Sequence, residues 1–283
     1  MIRGRLRPLA ELGADEARRL AGLVFDLDDT VLDHGVLGEP AYSALFRLRE
    51  SGLRLLACTG RPAGWGEVLA RQWPLDAVVA ENGAFAFAVD PSASGPRRLV
   101  AIGASGTADL AVEVEAARAR RAPLAALADE LCARFPATAL ADDNHARFTD
   151  VTLDIGEHRR VPPAEVAAIR AEARARGVRT FASAVHLHLT HEADDKASGA
   201  LRVIGRLFGD DPARARLVHA FVGDSGNDAA AFAAFDTTFG VANVRAHLAR
   251  LTVPPRFVAS REAGAGFAEI AARLAALRGP AAP

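Results

Sequence analysis

Three carboxylates and a hydroxyl close a short apolar run in Val24-Phe25-Asp26-Leu27-Asp28-Asp29-Thr30. Carboxylates serve as nucleophiles, proton shuttles and oxygen ligands for hard cations. In extended chain Asp26 and Asp28 would sit roughly 6–7 Å apart along the backbone, on one side. Charges that close repel unless a cation or a proton intervenes. Taken alone, the segment reads equally as an acidic Asx turn capping the next helix. Three further groups weigh against that. Thr59 lies in Cys58-Thr59-Gly60-Arg61, and a second acidic run is Gly223-Asp224-Ser225-Gly226-Asn227-Asp228. Lys196 is the single lysine among 34 Lys and Arg residues. A compact ammonium in a tight site cannot be exchanged for a planar guanidinium, although one surviving surface lysine would need no such reason. Together these groups suit metal-assisted phosphoryl transfer, which needs a nucleophile, a hard cation, positive charge on the phosphoryl oxygens and a proton donor. Asp26 is placed as the nucleophile and Asp28 as general acid and base. Asp26 and Asp224 would hold Mg²⁺ with a backbone carbonyl and waters, while Thr59 and Lys196 bind the transferring oxygens.

These residues must be delivered by strand ends. Leu23 to Phe25, Leu53 to Ala57, Asp76 to Ala80 and Leu217 to Val222 read as buried strands, each followed by polar residues. A helix over Pro40 to Glu50, stopped by Gly52, and one opened by Pro62 separate the first three strands. Asp194 or Asp195 caps an amphipathic helix from Lys196 to Phe208. Strands near Thr238 and Phe257 and a helix from Gly266 to Leu277 follow. Alternating strands and helices predict an α/β fold with a Rossmann-like three-layer core and a parallel sheet, its strand ends along one edge. Between these halves the pattern changes. A Pro/Ser/Gly loop, a strand-like run from Arg98 to Ile102, a helical stretch from Ala108 to Phe135 broken near Pro123, and strands near residues 148–155 and 178–182 predict an inserted α+β cap. The expected division is a discontinuous core of residues 1–85 and 187–283 with a cap at 86–186.

The four motifs, Asp26-Leu27-Asp28-Asp29-Thr30, Thr59-Gly60-Arg61, Lys196 and Gly223 to Asp228, resemble in order and spacing those of the haloacid dehalogenase-like hydrolases. The insertion is similar to the cap of their Cof-type and sugar-phosphatase branch, which includes sucrose-, trehalose- and mannosylglycerate-phosphate phosphatases. Glu81-Asn82-Gly83-Ala84, Val241-Ala242-Asn243 and Gly264-Ala265-Gly266-Phe267 are also like that branch. The resemblance implies an aspartyl-phosphate mechanism, the Asp28 carbonyl on Mg²⁺, Asp224 as a metal ligand, and Asp228 supporting the metal or its waters. It sets Gly60 and Asn227 on the substrate side, beside the further candidates Arg61 and Asn82. Asn82-Gly83 alone is a common hairpin turn. Asp29 stands where the branch usually carries glycine, and Asp33-His34 where it carries small or apolar residues.

The expected substrate is a phosphorylated sugar or similar small metabolite; a phosphosugar mutase and a catalytically silent binding module are the alternatives. His186, His188 and His191 suggest a metal or, more simply, hydrogen-bonded histidines on an exposed edge. Arg147 or Asp150 would reach a sugar hydroxyl from the cap. The 283 residues carry a net charge of −1, which gives no field to recruit nucleic acid or an anionic membrane. No apolar run reaches bilayer length, and the two cysteines, Cys58 and Cys132, form no disulfide framework or zinc spacing. A cytoplasmic monomer or homodimer is expected.

Overall fold

A computed structural model describes residues 6–93, 97–183 and 185–279. In chain order its first part holds β1 (Arg7–Pro8), α1 (Ala14–Arg19), β2 (Gly22–Phe25), β3 (Leu32–Asp33), β4 (Val36–Leu37), α2 (Glu39–Glu50), β5 (Arg54–Cys58), α3 (Ala63–Gln72) and β6 (Ala77–Ala80). Then come β7 (Phe85–Val89), β8 (Leu99–Ile102), α4 (Leu110–Arg134), β9 (Ala139–Leu140), β10 (Asp150–Asp154), α5 (Pro163–Ala175), β11 (Arg179–Ala182) and β12 (His186–Thr190). The last part is α6 (Lys196–Phe208), α7 (Pro212–Val218), β13 (His219–Gly223), α8 (Ala229–Ala234), β14 (Thr237–Gly240), β15 (Phe257–Val258) and α9 (Ala263–Arg278).

Nine strands form one sheet in the order β1-β15-β14-β13-β2-β5-β6-β7-β8. Every pair from β1 to β6 is parallel, and β7 and β8 extend the sheet antiparallel. Strand alternation sends Leu23, Phe25, Leu55 and Ala57 into one apolar layer, against α1, α2, α3 and α9. Val24, Leu56, Cys58 and Phe221 enter the other, against α6, α7 and α8. Helices on both faces explain why the strands read as unbroken apolar runs. The expected three-layer α/β core is present.

From β2 the chain builds outward through β5 and β6, then returns to the other side of β2 with β13, β14 and β15. The order therefore reverses between β2 and β13, and ligands of open α/β sheets bind at the carboxyl ends of strands beside such a reversal. Phe25 is level with Val222 on one side and Ala57 on the other, so the residues following all three strands emerge together.

A second sheet, β11-β12-β10-β9, encloses its own apolar cluster with α4 and α5, including Leu127, Leu131, Val151, Leu153, Ile169 and Leu189. β7 and β8, expected within the inserted unit, pair instead with the large sheet, their apolar residues extending its two layers. Part of the expected Pro/Ser/Gly loop, residues 94–96, lies outside the described residues. Pro123 does not break α4, which runs through it. The segment after Asp29 is a β-hairpin of β3 and β4. Its two-residue turn, His34-Gly35, has φ of 47° and 81°, the positive pair that a hairpin of right-handed twist requires.

Candidate active site

Asp26 follows β2, Asp224 follows β13, and Asp228 closes the turn after Asp224. One carboxylate oxygen from each lies within 4.8 Å of the others, and all three residues are buried. Lys196, first residue of α6, reaches them from the opposite layer. Its Nζ stands 2.7 Å from Asp26 Oδ1 and 2.8 Å from Asp228 Oδ1. Burial opposes the ammonium charge, but Asp228 and Asp26 outweigh it and raise the Lys196 pKa. Burial raises Asp26 well above the carboxylate range, with Lys196 opposing and Asp228 and Asp224 adding to the rise. Asp224, buried beside Asp228, is pushed up to about 7. With all three acids ionised, three negative charges would face a single positive one. Buried charge left in excess takes up protons or a cation. An all-oxygen donor set of this kind suits Mg²⁺.

The three acids differ in what remains free to bind an ion. Asp228 Oδ1 is bound by Lys196, and its Oδ2 accepts the Asp224 amide at 2.9 Å and the Ser225 amide at 3.2 Å. Both Asp228 oxygens are thus engaged in holding Lys196 and the loop. Gly223 permits this, since a Cβ there would lie 2.3 Å from Asp228 Oδ2. Asn243, absent from the expected site, donates to Asp224 Oδ2 at 3.1 Å and to the Asp29 carbonyl at 2.9 Å. Its signal was the Val241-Ala242-Asn243 segment, which follows β14 at the same sheet edge.

Asp28 lies outside the buried triad. Arg61 holds it with Nε 3.0 and 2.9 Å from the two carboxylate oxygens and Nη2 2.6 Å from Oδ1. Arg61 also lies over the Trp65 ring. Asp29 adopts φ of 54° and accepts the His34 amide at 3.3 Å, anchoring the hairpin; Asp33 and His34 are exposed at its tip.

The Thr59-Gly60-Arg61 loop is fixed through three successive carbonyls. Thr59 O accepts the Asn82 amide at 3.0 Å and Arg61 O the Glu81 amide at 3.1 Å, while Gly60 O accepts Arg147 Nη1 at 3.2 Å. Thr59 Oγ1 accepts the Arg61 amide at 3.1 Å, leaving its own hydroxyl proton to donate. Glu81 and Asn82 both have positive φ, 49° and 56°, a strained arrangement held by these bonds. Asn227 Nδ2 donates to Asn82 Oδ1 at 3.1 Å, so both asparagines share one wall. Gly83 and Gly199 meet backbone to backbone, setting α6 against this loop: a Cβ on Gly199 would lie 2.4 Å from Gly83 Cα.

The sequence reading missed Glu81. Its carboxylate accepts the amides of Ala63 at 2.9 Å, Phe148 at 2.7 Å, Thr149 at 2.6 Å and Asp150 at 3.1 Å, and the Thr149 hydroxyl. It ties the large sheet to the entry of β10. Arg147 and Asp150, expected to reach a sugar hydroxyl, are instead buried against each other. Arg147 also binds both oxygens of Asp143. Burial opposes ionisation of Asp150, yet Arg147 and His188 hold its pKa at about 2. His188 contacts Asp150 at 2.9 Å and His186 contacts Glu157 at 2.7 Å. β12 lies inside its sheet, not at an edge. Among the described residues no histidine joins a candidate metal cluster.

A cavity of about 340 Å³ opens above Lys196, with Asn82 and Asn227 on the large-sheet side and Arg170, Thr180 and Phe181 on the other. No described helix is long and apolar enough to cross a membrane.

Residues 23–93 match the family model for haloacid dehalogenase-like hydrolases. No curated protein matches significantly in sequence. Among solved structures, a Thermoplasma acidophilum protein superposes with a TM-score of 0.67 at 18% identity, covering 90% of this chain and 98% of its own. Sucrose-phosphatase from Synechocystis, solved with sucrose and phosphate, gives a TM-score of 0.61 at 19% identity, covering 91% and 98%. A haloacid dehalogenase-like hydrolase from Bacteroides thetaiotaomicron gives 0.61 at 14% identity, covering 90% and 99%. The resemblance read from the motifs is thus met by the family model over the first two of them and by the fold over nearly the whole chain.

Proposed function

We propose that this chain is a Mg²⁺-dependent phosphomonoester hydrolase of the haloacid dehalogenase-like type, acting on a phosphorylated sugar or similar small metabolite through an aspartyl-phosphate. The observation that carries the reading is the convergence of Asp26, Asp224, Asp228 and Lys196 in one buried cluster at the strand ends. The unit built on the second sheet acts as a cap over those ends, since the cavity above Lys196 takes one wall from each unit.

Asp26 attacks phosphorus and forms the acyl-phosphate bond as the ester P–O bond breaks. Lys196 and the Thr59 hydroxyl bind phosphoryl oxygens, without which a carboxylate would be repelled by a phosphate dianion. Asp26 and Asp224 would hold Mg²⁺, which would supply further charge neutralisation. Asp28 protonates the departing oxygen and then takes a proton from the hydrolytic water. Its pairing with Arg61 suits the second, basic role.

The test is release of phosphate from a panel of sugar phosphates and from p-nitrophenyl phosphate, with Mg²⁺ and with chelator. Turnover is expected only with the ion, and Asp26→Asn should abolish it. Activity surviving both treatments refutes the mechanism.

A further inference from the structure

The cap-side wall of the cavity carries one cation and no anion. It is formed by Arg170 on α5 and by Thr180, Phe181 and Ala182 on β11. Arg170 is half-buried, and its Nε donates to Thr180 Oγ1 at 3.2 Å. That bond uses the hydroxyl as an acceptor and holds the guanidinium across the cavity from Lys196. Among the described residues the two terminal nitrogens of Arg170 have no hydrogen-bond or ion-pair partner. Lys196, by contrast, is held by Asp26 and Asp228. The acid at the rim, Asp195, turns Oδ1 to the amides of Ala197 and Ser198, capping α6.

A neutral polyol presents as many donors as acceptors, and a wall built to bind one needs carboxylate or carbonyl acceptors among its side chains. Here the hydrogen-bonding groups of the cap wall are a guanidinium and a hydroxyl already accepting from it. The guanidinium has only protons to give, and the hydroxyl keeps its own proton and one lone pair. A guanidinium fixed through Nε presents its remaining N–H groups as a fork matched to a carboxylate or phosphate. Phe181 adds an apolar surface beside it for the carbon skeleton.

We propose that Arg170 binds a second anionic group on the leaving group. The substrates are then phosphomonoesters carrying a carboxylate or another phosphate at the end remote from the scissile ester, such as phosphorylated sugar acids or sugar bisphosphates. This rests on the phosphatase reading of the Lys196 site and adds the substrate class. The cap thereby discriminates by charge: a neutral leaving group leaves the guanidinium without an anionic partner.

The test compares kcat/KM for 6-phosphogluconate, glucose 1,6-bisphosphate and glucose 6-phosphate in the wild type, Arg170→Ala and Arg170→Lys. The wild type should prefer at least one doubly anionic ester over glucose 6-phosphate by tenfold or more. Which of the two is preferred separates a carboxylate from a second phosphate. Arg170→Ala should cut that ratio at least tenfold, and Arg170→Lys should fall between, retaining charge without the fork. Equal losses on all three esters in Arg170→Ala, or a wild-type preference for glucose 6-phosphate, overturn the proposal. The phosphatase reading is scored apart, by wild-type turnover of p-nitrophenyl phosphate. Calorimetric binding of the same three compounds to Asp26→Asn repeats the comparison without turnover. There, too, a preference lost in Asp26→Asn/Arg170→Ala supports the assignment, and an absent preference refutes it.

Discussion

Replacing Glu81 by alanine should loosen the cap while leaving the metal-binding acids in place. Four of the five bonds that its carboxylate accepts come from Phe148, Thr149 and Asp150 at the entry to β10, and the fifth from Ala63 at the start of α3. Hydrogen bonds to charged groups contribute about 1.5–3 kcal/mol each, and a buried donor left unpaired costs about 1–3 kcal/mol. Burial, followed by the Asp150 charge, raises the Glu81 pKa, so desolvation cancels much of that gross gain. Water entering the vacated space would rehydrate some amides. A net loss of about 2 kcal/mol remains, roughly thirtyfold in the ratio of closed to open cap. The expected outcome for Glu81→Ala is a tenfold or greater fall in kcat/KM for a sugar phosphate. Hydrogen exchange of the 148–150 amides should accelerate by a similar factor, with Mg²⁺ affinity within a few-fold of wild type. Glu81→Gln keeps one acceptor and sheds the desolvation penalty, so its defect should be several-fold milder. Unchanged exchange at residues 148–150, together with kcat/KM within twofold in Glu81→Ala, would refute the clasp.

Two further outcomes follow from the packing and charge of the same region. Asp224 titrates near 7 in the folded chain against 3.8 for the free side chain. The folded state therefore holds the extra proton between those values, and stability from this group is lost as pH rises through about 7. Without divalent ion the Tm should fall between about pH 5 and about pH 8, while the gain in Tm from added Mg²⁺ grows over that window. Thermal scans with chelator check this, and a slope identical in Asp224→Asn would contradict it. Gly199→Ala should act on catalysis from outside the site, because its Cβ would lie 2.4 Å from both Gly83 Cα and Gly83 O. Overpacking of this kind costs about 1–3 kcal/mol and would shift α6, so kcat should drop with the displacement of Lys196. Wild-type kcat and stability in that variant would show that the contact relaxes without moving the helix.

The core of the site was legible because its residues lie directly after buried strands. Val24-Phe25 and Phe221-Val222 announce β2 and β13 by apolar content, and polar residues following such strands at one edge converge whatever the intervening chain does. Lys196 was legible by composition, as the one position where arginine did not stand. Asp28 and Asp228 show the limit of that reasoning. Spacing alone sets Asp28 on the same side as Asp26, but the chain leaves the strand at Phe25, and the Leu27 carbonyl then gathers the amides of residues 30–32 into a turn. Asp228 has the charge of a metal ligand, yet its two oxygens are occupied by Lys196 and by two loop amides, a commitment that residue type does not reveal. Glu81 and Arg147 were harder still. Their partners are backbone groups across the boundary between the two sheets, and a main-chain amide or carbonyl leaves no mark in sequence. The same holds for β7 and β8, whose apolar alternation fits either sheet until their pairing is seen. What distinguishes Glu81 afterwards is its positive φ beside Asn82. A non-glycine pair in that conformation persists only where surrounding bonds hold it, and here those bonds join the Thr59 loop, the start of α3 and the entry to β10, while the next residue, Gly83, packs against Gly199 of the helix bearing Lys196. On the proposed function, cap position and placement of the phosphate-binding groups would be coupled, and a substitution at either end of that linkage should register at the other.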